Sequence, residues 1–232
     1  FSFLEYEPEF ALFKNLVKRG TKIYGVEQMS VFADQMIISN LKETSKNKKV
    51  IEIYEQMLFN SKQLADKEGL EKYYLLSEDC LQKLDLLLML KLSDKERKQI
   101  EALRLSREIY TKRNHPLRIQ LMKNILLKQM PDWNNKKNLF KFGSVHVPRG
   151  ETILTKTDIY DIGNLISNIE EANYRKSLHI MVVGKGEDEN DNTSFKSFLN
   201  VVNDEQWYCF DLRPLKKSIL QNKLKVDDIY LS

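Results

Sequence analysis

A histidine three residues beyond a glycine, in Gly143-Ser144-Val145-His146, is the pattern in this chain best suited to chemistry. The Pro148-Arg149-Gly150 loop follows it, and the apolar run 138–142 before it reads as a short strand. An imidazole is therefore expected just past the carboxyl end of a strand, the place where open α/β sheets bind ligands. There a histidine can take a proton as general base, bind a metal, or hold a carboxylate. The plain alternative is a surface-loop histidine with no role. Gly143 would let the backbone pass close to a neighbour or ligand.

The other chemical groups are assigned by position. Glu5 ends the apolar run 1–5, and Glu27 ends the run 22–27. As carboxylates at adjacent strand ends they could share a proton, bind a cation or orient a histidine. Each reads equally as a cap on the helix that follows. Arg118 lies early in a helix leading to the His146 strand and could clamp a carboxylate, while Asn124 on the same helix could hydrogen-bond a loop. His179 falls mid-strand and reads as a satisfied core histidine, and His115 as a loop residue before Pro116. Neither Ser144 nor Ser177 sits in a Gly-x-Ser-x-Gly elbow, so the pattern gives no support for a serine hydrolase. Gly184-Lys185-Gly186 lacks the spacing of a phosphate loop.

The elements that must position these groups begin with strand, helix, strand. Pro8 suits a first helical turn, Phe10, Phe13, Leu16 and Val17 follow helical spacing, and Gly20 fits a left-handed cap. With run 22–27 as the second strand, this βαβ unit predicts parallel strands and a right-handed crossover. Residues 30–130 read instead as helices, over 28–41, 49–66, 71–91 and 94–112. Ser93-Asp94-Lys95-Glu96 forms a capping box, and Asn114 is an N-cap for a helix from Pro116. Strands are expected again at 138–142, 177–183 and 206–210. Helices are expected from Thr157 or Asp158 to about Asn173, from Ser194 and from Pro214. The fold class that results is α/β. A central, mostly parallel sheet is flanked by helices within a single domain spanning 1–232, and residues 30–130 form a large helical insertion. The chain starts inside an apparent core strand and stops without a clear terminal element, as expected of a piece truncated at both ends.

Composition narrows the function classes. Charged residues make up 30% and aromatics 10%, as in a globular protein, and the formal charge of +4 is mild for 232 residues. Acidic residues interleave with the lysines, so there is no basic stripe for nucleic acid. Cys80 and Cys209 lie far apart with no Cys/His ligand spacing, which argues against structural zinc; they read as two buried thiols. The longest apolar run is too short to span a bilayer. Small-molecule substrates or ligands remain the expected partners. Oligomeric state is left open, as is localisation: envelope-associated if a leader precedes Phe1, otherwise cytoplasmic.

The segment Arg118-x-x-x-Met122-x-Asn124, a loop, then Gly143-x-x-His146-Val147-x-Arg149-Gly150 resembles the second half of erythromycin esterase-like proteins. Gly143-x-x-His146 is also similar to the Gly-x-x-His motif of Tiki/TraB proteins, and ChaN-like haem-binding lipoproteins belong to the same broad superfamily. The Met–Asn gap is one residue here, so that part matches only approximately. Leu4-Glu5 and Gly25-Val26-Glu27 resemble the ends of two of the superfamily's strands. The resemblance implies an α/β fold with a pocket at the strand ends. It implies a hydrolase in which Glu5 and a histidine on a strand before Phe1 activate water against an ester or related bond. In that scheme His146 positions the carbonyl, Arg118 holds a negative group, and Glu27, Arg149 and Asn124 contact substrate. It also leaves open a ChaN-like protein that binds haem or another small ligand without catalysis. No metal ligand is assigned, although a metal ion or haem is possible within the superfamily. The family's first motif, a Gly-Glu-x-x-His or Gly-x-x-His, would lie before Phe1.

Overall fold

A computed structural model describes residues 7–64, 66–150, 159–184, 198, 201–203 and 206–223. The chain divides into two compact units, Phe1–Ser106 and Arg107–Ser232, and the long helix α5 (Asp94–Lys112) carries the division within it.

In the first unit, α1 (Glu7–Lys18) starts with acidic residues at its positive end and Pro8 in its first turn. It ends as the sequence predicts. Gly20 takes φ +75°, and the Gly20 and Thr21 amides donate back to the Val17 and Leu16 carbonyls. Beyond it come α2 (Asp34–Thr44), α3 (Lys48–Gln63), a 3₁₀ turn (Tyr74–Leu76) and α4 (Glu78–Leu88). The core is built from one face of each: Ile38 and Leu41 of α2, Val50, Ile53, Tyr54 and Met57 of α3, Leu84 and Leu87 of α4, and Ile100 and Leu103 of α5. The i, i+3, i+4, i+7 spacing in α3 makes that face continuous. Asn47 caps α3 by accepting from the Lys49 amide, and Ser77 caps α4 by accepting from the Cys80 amide. The capping box at α5 is realised in full. Ser93 Oγ accepts from the Glu96 amide at 3.3 Å, and Glu96 Oε2 accepts from the Ser93 amide at 2.9 Å.

Asp34, the first residue of α2, is buried and joins two elements. One carboxylate oxygen accepts from the Gln35 amide at 2.7 Å, the other from the buried Leu75 amide at 3.0 Å. Burial raises its pKa against the pull of those amides. An Asp34→Ala variant leaves the Leu75 amide without this acceptor, so a loss of about 2 kcal/mol in urea denaturation is expected. An unchanged midpoint would show that water replaces the carboxylate freely.

The second unit holds the end of α5, then α6 (His115–Lys128), the single turn α7 (Met130–Trp133), a 3₁₀ turn (Ser144–His146), α8 (Ile162–Ala172) and α9 (Arg213–Leu220). Asn114 caps α6 by accepting from the Leu117 amide, as expected. Ile119, Met122 and Leu126 of α6, Trp133, and Ile162 and Ile166 of α8 are buried. Arg175 fastens the far end of α8, donating to Glu170 and to the side chains of Asn134 and Asn135.

The expected α/β class is overturned. Among the described residues there is no sheet, only an isolated bridge residue at Tyr160. Residues 22–27, 138–142, 177–183 and 206–210 all lack a strand ladder. The period-2 pattern survives in part as alternating exposure, although all of 206–210 is exposed. Tyr24 and Val26 are half-buried between exposed neighbours, as are Ser177 and His179 between the exposed Lys176, Leu178 and Ile180. Alternation reports which way side chains face; it does not supply a lateral hydrogen-bond partner, and a parallel sheet needs both. The strand 1–5 and the helix from Ser194 lie outside the described residues.

Candidate functional site

The histidine loop is held by its approach and by its landing. Trp133 is buried and donates from Nε1 to the Leu126 carbonyl at 3.0 Å. Its ring meets Phe140 edge-on at 5.5 Å, and Asn138 Nδ2 donates to the Trp133 carbonyl at 2.8 Å. These contacts fix 138–142 against the end of α6. Ser144–His146 then makes one 3₁₀ turn, closed by the His146 amide on the Gly143 carbonyl. His146 therefore follows a turn, not a sheet edge, and only 3% of its surface is exposed.

Its partner is Asp161, fully buried at the N-terminus of α8. His146 Nδ1 lies 3.0 and 2.9 Å from the two carboxylate oxygens, and one of those oxygens also accepts from the Ile162 amide at 2.7 Å. A carboxylate accepts only, so Nδ1 carries the proton of this bond, and in the corresponding neutral tautomer Nε2 is the acceptor. Lys123 of α6 donates to the Tyr160 carbonyl beside this pair. Burial lowers the Lys123 pKa, while the charge of Asp161 acts to raise it.

Sequence reading missed Asp161, placing the cap at Thr157 or Asp158, which lie outside the described residues. The signal was present: an aspartate directly before Ile162, Leu165, Ile166 and Ile169 at helical spacing. It also placed the close backbone approach at the wrong glycine. At Gly143 an added Cβ would meet only His146 Cδ2, at 3.7 Å. At Gly163 it would lie 2.3 Å from the Val147 carbonyl oxygen and 2.7 Å from that of Pro148. Asn164 completes the seam, donating from Nδ2 to the Arg149 carbonyl.

The same loop holds another histidine of the unit. His179 Nδ1 is 2.7 Å from the Val147 carbonyl oxygen, and its Nε2 is 2.8 Å from Ser177 Oγ. Arg149, exposed, donates to the Ser177 carbonyl. Burial holds the His179 pKa below the ordinary value, and the Arg149 charge adds to that shift.

No family model, curated protein or solved structure matches this chain.

The remaining candidates fall on α6, in the first unit or outside the described residues. Arg118 is half-buried on α6, and Asn124 is exposed further along the same helix. Glu27 belongs to the first unit, is exposed, and accepts from the Gln28 amide through Oε1. Glu5 lies outside the described residues. Among the described residues no group of three or more His, Cys, Asp or Glu is arranged to hold a metal ion, and no helix is long and apolar enough to cross a membrane. Cys80 is buried as expected, but Cys209 is exposed; both are free thiols.

Proposed function

We propose that the second unit carries a hydrolase centre acting on an ester or related bond, in which His146 is the base that takes a proton from the attacking water. The observation that carries this reading is the His146–Asp161 pair, with Nδ1 between the two carboxylate oxygens at 2.9 and 3.0 Å. A base needs a fixed tautomer and a partner that stabilises the imidazolium once it forms, and a buried carboxylate supplies both. Asp161 thus takes the histidine-orienting role that position in the sequence offers to Glu5 and Glu27. The small exposure of His146 suits a base that acts on water, since a bulky substrate need not touch the ring. Arg149, exposed on the same loop, is available to an anionic substrate group or a developing oxyanion. The likeness of Gly143-x-x-His146 to the esterase-like and Tiki/TraB motif supports the same reaction class. That support comes from the motif and not from a sheet.

The test is hydrolysis of p-nitrophenyl acetate and butyrate by the full chain carrying Ser177→Ala, which removes ester hydrolysis through the hydroxyl bonded to His179. His146→Gln is expected to lower the rate by about 10²-fold or more, the usual contribution of a positioned base. Circular dichroism would check that the helices are retained. A folded His146→Gln protein with an unchanged rate on both esters would overturn the proposal.

A further inference from the structure

A hydroxyl that shares a proton with an oriented imidazole lies a few residues from the end of α8. In 177–183, which forms no regular element, positions 177 and 179 are both half-buried while Lys176, Leu178 and Ile180 are exposed. That alternation brings Ser177 Oγ to 2.8 Å from His179 Nε2. On the far side of the ring, Nδ1 sits 2.7 Å from the Val147 carbonyl oxygen. A carbonyl oxygen has no proton to give, so Nδ1 must be the donor there. In the neutral ring Nε2 is then the acceptor, and the bond runs from the serine hydroxyl to the histidine. Nucleophile, base and a fixed orienting group are thus in the sequence that nucleophilic catalysis requires. Arg149 adds a cation, anchored on the carbonyl of Ser177 itself.

We propose that Ser177 is a nucleophile activated by His179, forming an acyl-accepting site made of different atoms from the His146–Asp161 pair. Its substrate class is an ester or comparably activated acyl group. Ser177 Oγ attacks the carbonyl carbon as its proton passes to His179 Nε2, and the oxyanion that forms is offset by Arg149. The carbon–oxygen bond to the leaving group then breaks, and His179 returns its proton to the departing alcohol. This leaves an acyl-serine. Water releases the acid by the same route: its proton goes to His179, the bond to Ser177 breaks, and the serine oxygen recovers a proton. Each half balances without any added oxidant or metal. The Val147 carbonyl keeps the ring in its working tautomer throughout, in the place a carboxylate takes in other triads. Because burial and Arg149 both disfavour the charged ring, His179 is neutral at pH 7 and ready to accept the proton.

The experiment is labelling of the full chain with a fluorophosphonate probe, followed by peptide mapping. The probe forms an oxygen–phosphorus bond as fluoride leaves, so labelling needs a nucleophile but no turnover. It therefore succeeds or fails independently of the water-activating role given to His146. The adduct is expected on Ser177. It should be lost in Ser177→Ala and formed about 10²-fold more slowly in His179→Gln. The wild-type rate should rise with pH to a plateau, with a midpoint below 6.5. Mapping on the wild-type chain decides the matter even if a variant fails to fold. An adduct elsewhere, no adduct, or the same rate in a folded His179→Gln would overturn the proposal.

Discussion

Replacing Gly163 with alanine is expected to destabilise the second unit by about 3 kcal/mol, at the upper end of the cost of overpacking. Two effects oppose each other. Gly163 lies inside α8, so alanine gains helix propensity of about 1 kcal/mol. Against that, its Cβ would sit 2.3, 2.6 and 2.7 Å from three backbone atoms of Val147 and Pro148. Backbone atoms cannot swing aside as a lysine tip could, so the loop and the start of α8 must separate by roughly an ångström, and the steric effect wins. The loss spreads, because that seam is where Asp161 reaches His146 and where the Val147 carbonyl accepts from His179. Gly143→Ala is the control. Its φ of −57° suits alanine and its Cβ finds ordinary contact, so a change within about 0.5 kcal/mol of zero is expected, with a stabilising sign favoured by the stiffer unfolded chain. Urea denaturation of both variants reads the contrast directly. Equal midpoints would mean that the loop and α8 are not packed as described.

That contrast shows where sequence reading succeeds. The α1 stop at Gly20, the Ser93–Glu96 capping box, Asn114 at α6 and the bounds of α5 were all legible, because each depends on residues within a turn of one another. The sheet was not. Runs such as 177–183 carry the alternation of a strand, and in the structure they do alternate, but pairing is a tertiary event that alternation does not encode. The same limit governed the site. His146 was visible from its motif, while its buried partner lies fifteen residues on and needed the end of α8 to be placed first. Ser177 and His179 were set aside separately, one for lacking an elbow and the other as a core residue. Only their shared face and the Val147 carbonyl bring them together.

The His146–Asp161 pair yields the second large effect, and two substitutions at Asp161 separate its structural and chemical parts. Asp161→Ala removes the acceptor of the His146 proton and the cap on the Ile162 amide, leaving the imidazole buried without its counterpart. Leaving the buried ring donor without its acceptor costs about 1–3 kcal/mol, and loss of the cap adds about 1 kcal/mol. His146→Ala also breaks the pair, but the carboxylate keeps the Ile162 amide, so a smaller loss is expected. The double variant should lose less than the sum, with a coupling of about 1–3 kcal/mol for groups in direct contact. Asp161→Asn behaves differently. An amide oxygen can still cap Ile162, so the stability cost is modest. Its NH₂ group, however, takes the place of Oδ2, 2.9 Å from Nδ1, and there it favours a ring that carries its proton on Nε2. The lone pair that takes the proton from water is then lost, and ester hydrolysis by the chain carrying Ser177→Ala should fall by about 10²–10⁴-fold while the fold persists. Hydrolysis at an unchanged rate in a folded Asp161→Asn protein would reduce the pair to a structural staple for the loop. Loss of activity with little loss of stability would separate the tautomer from the staple.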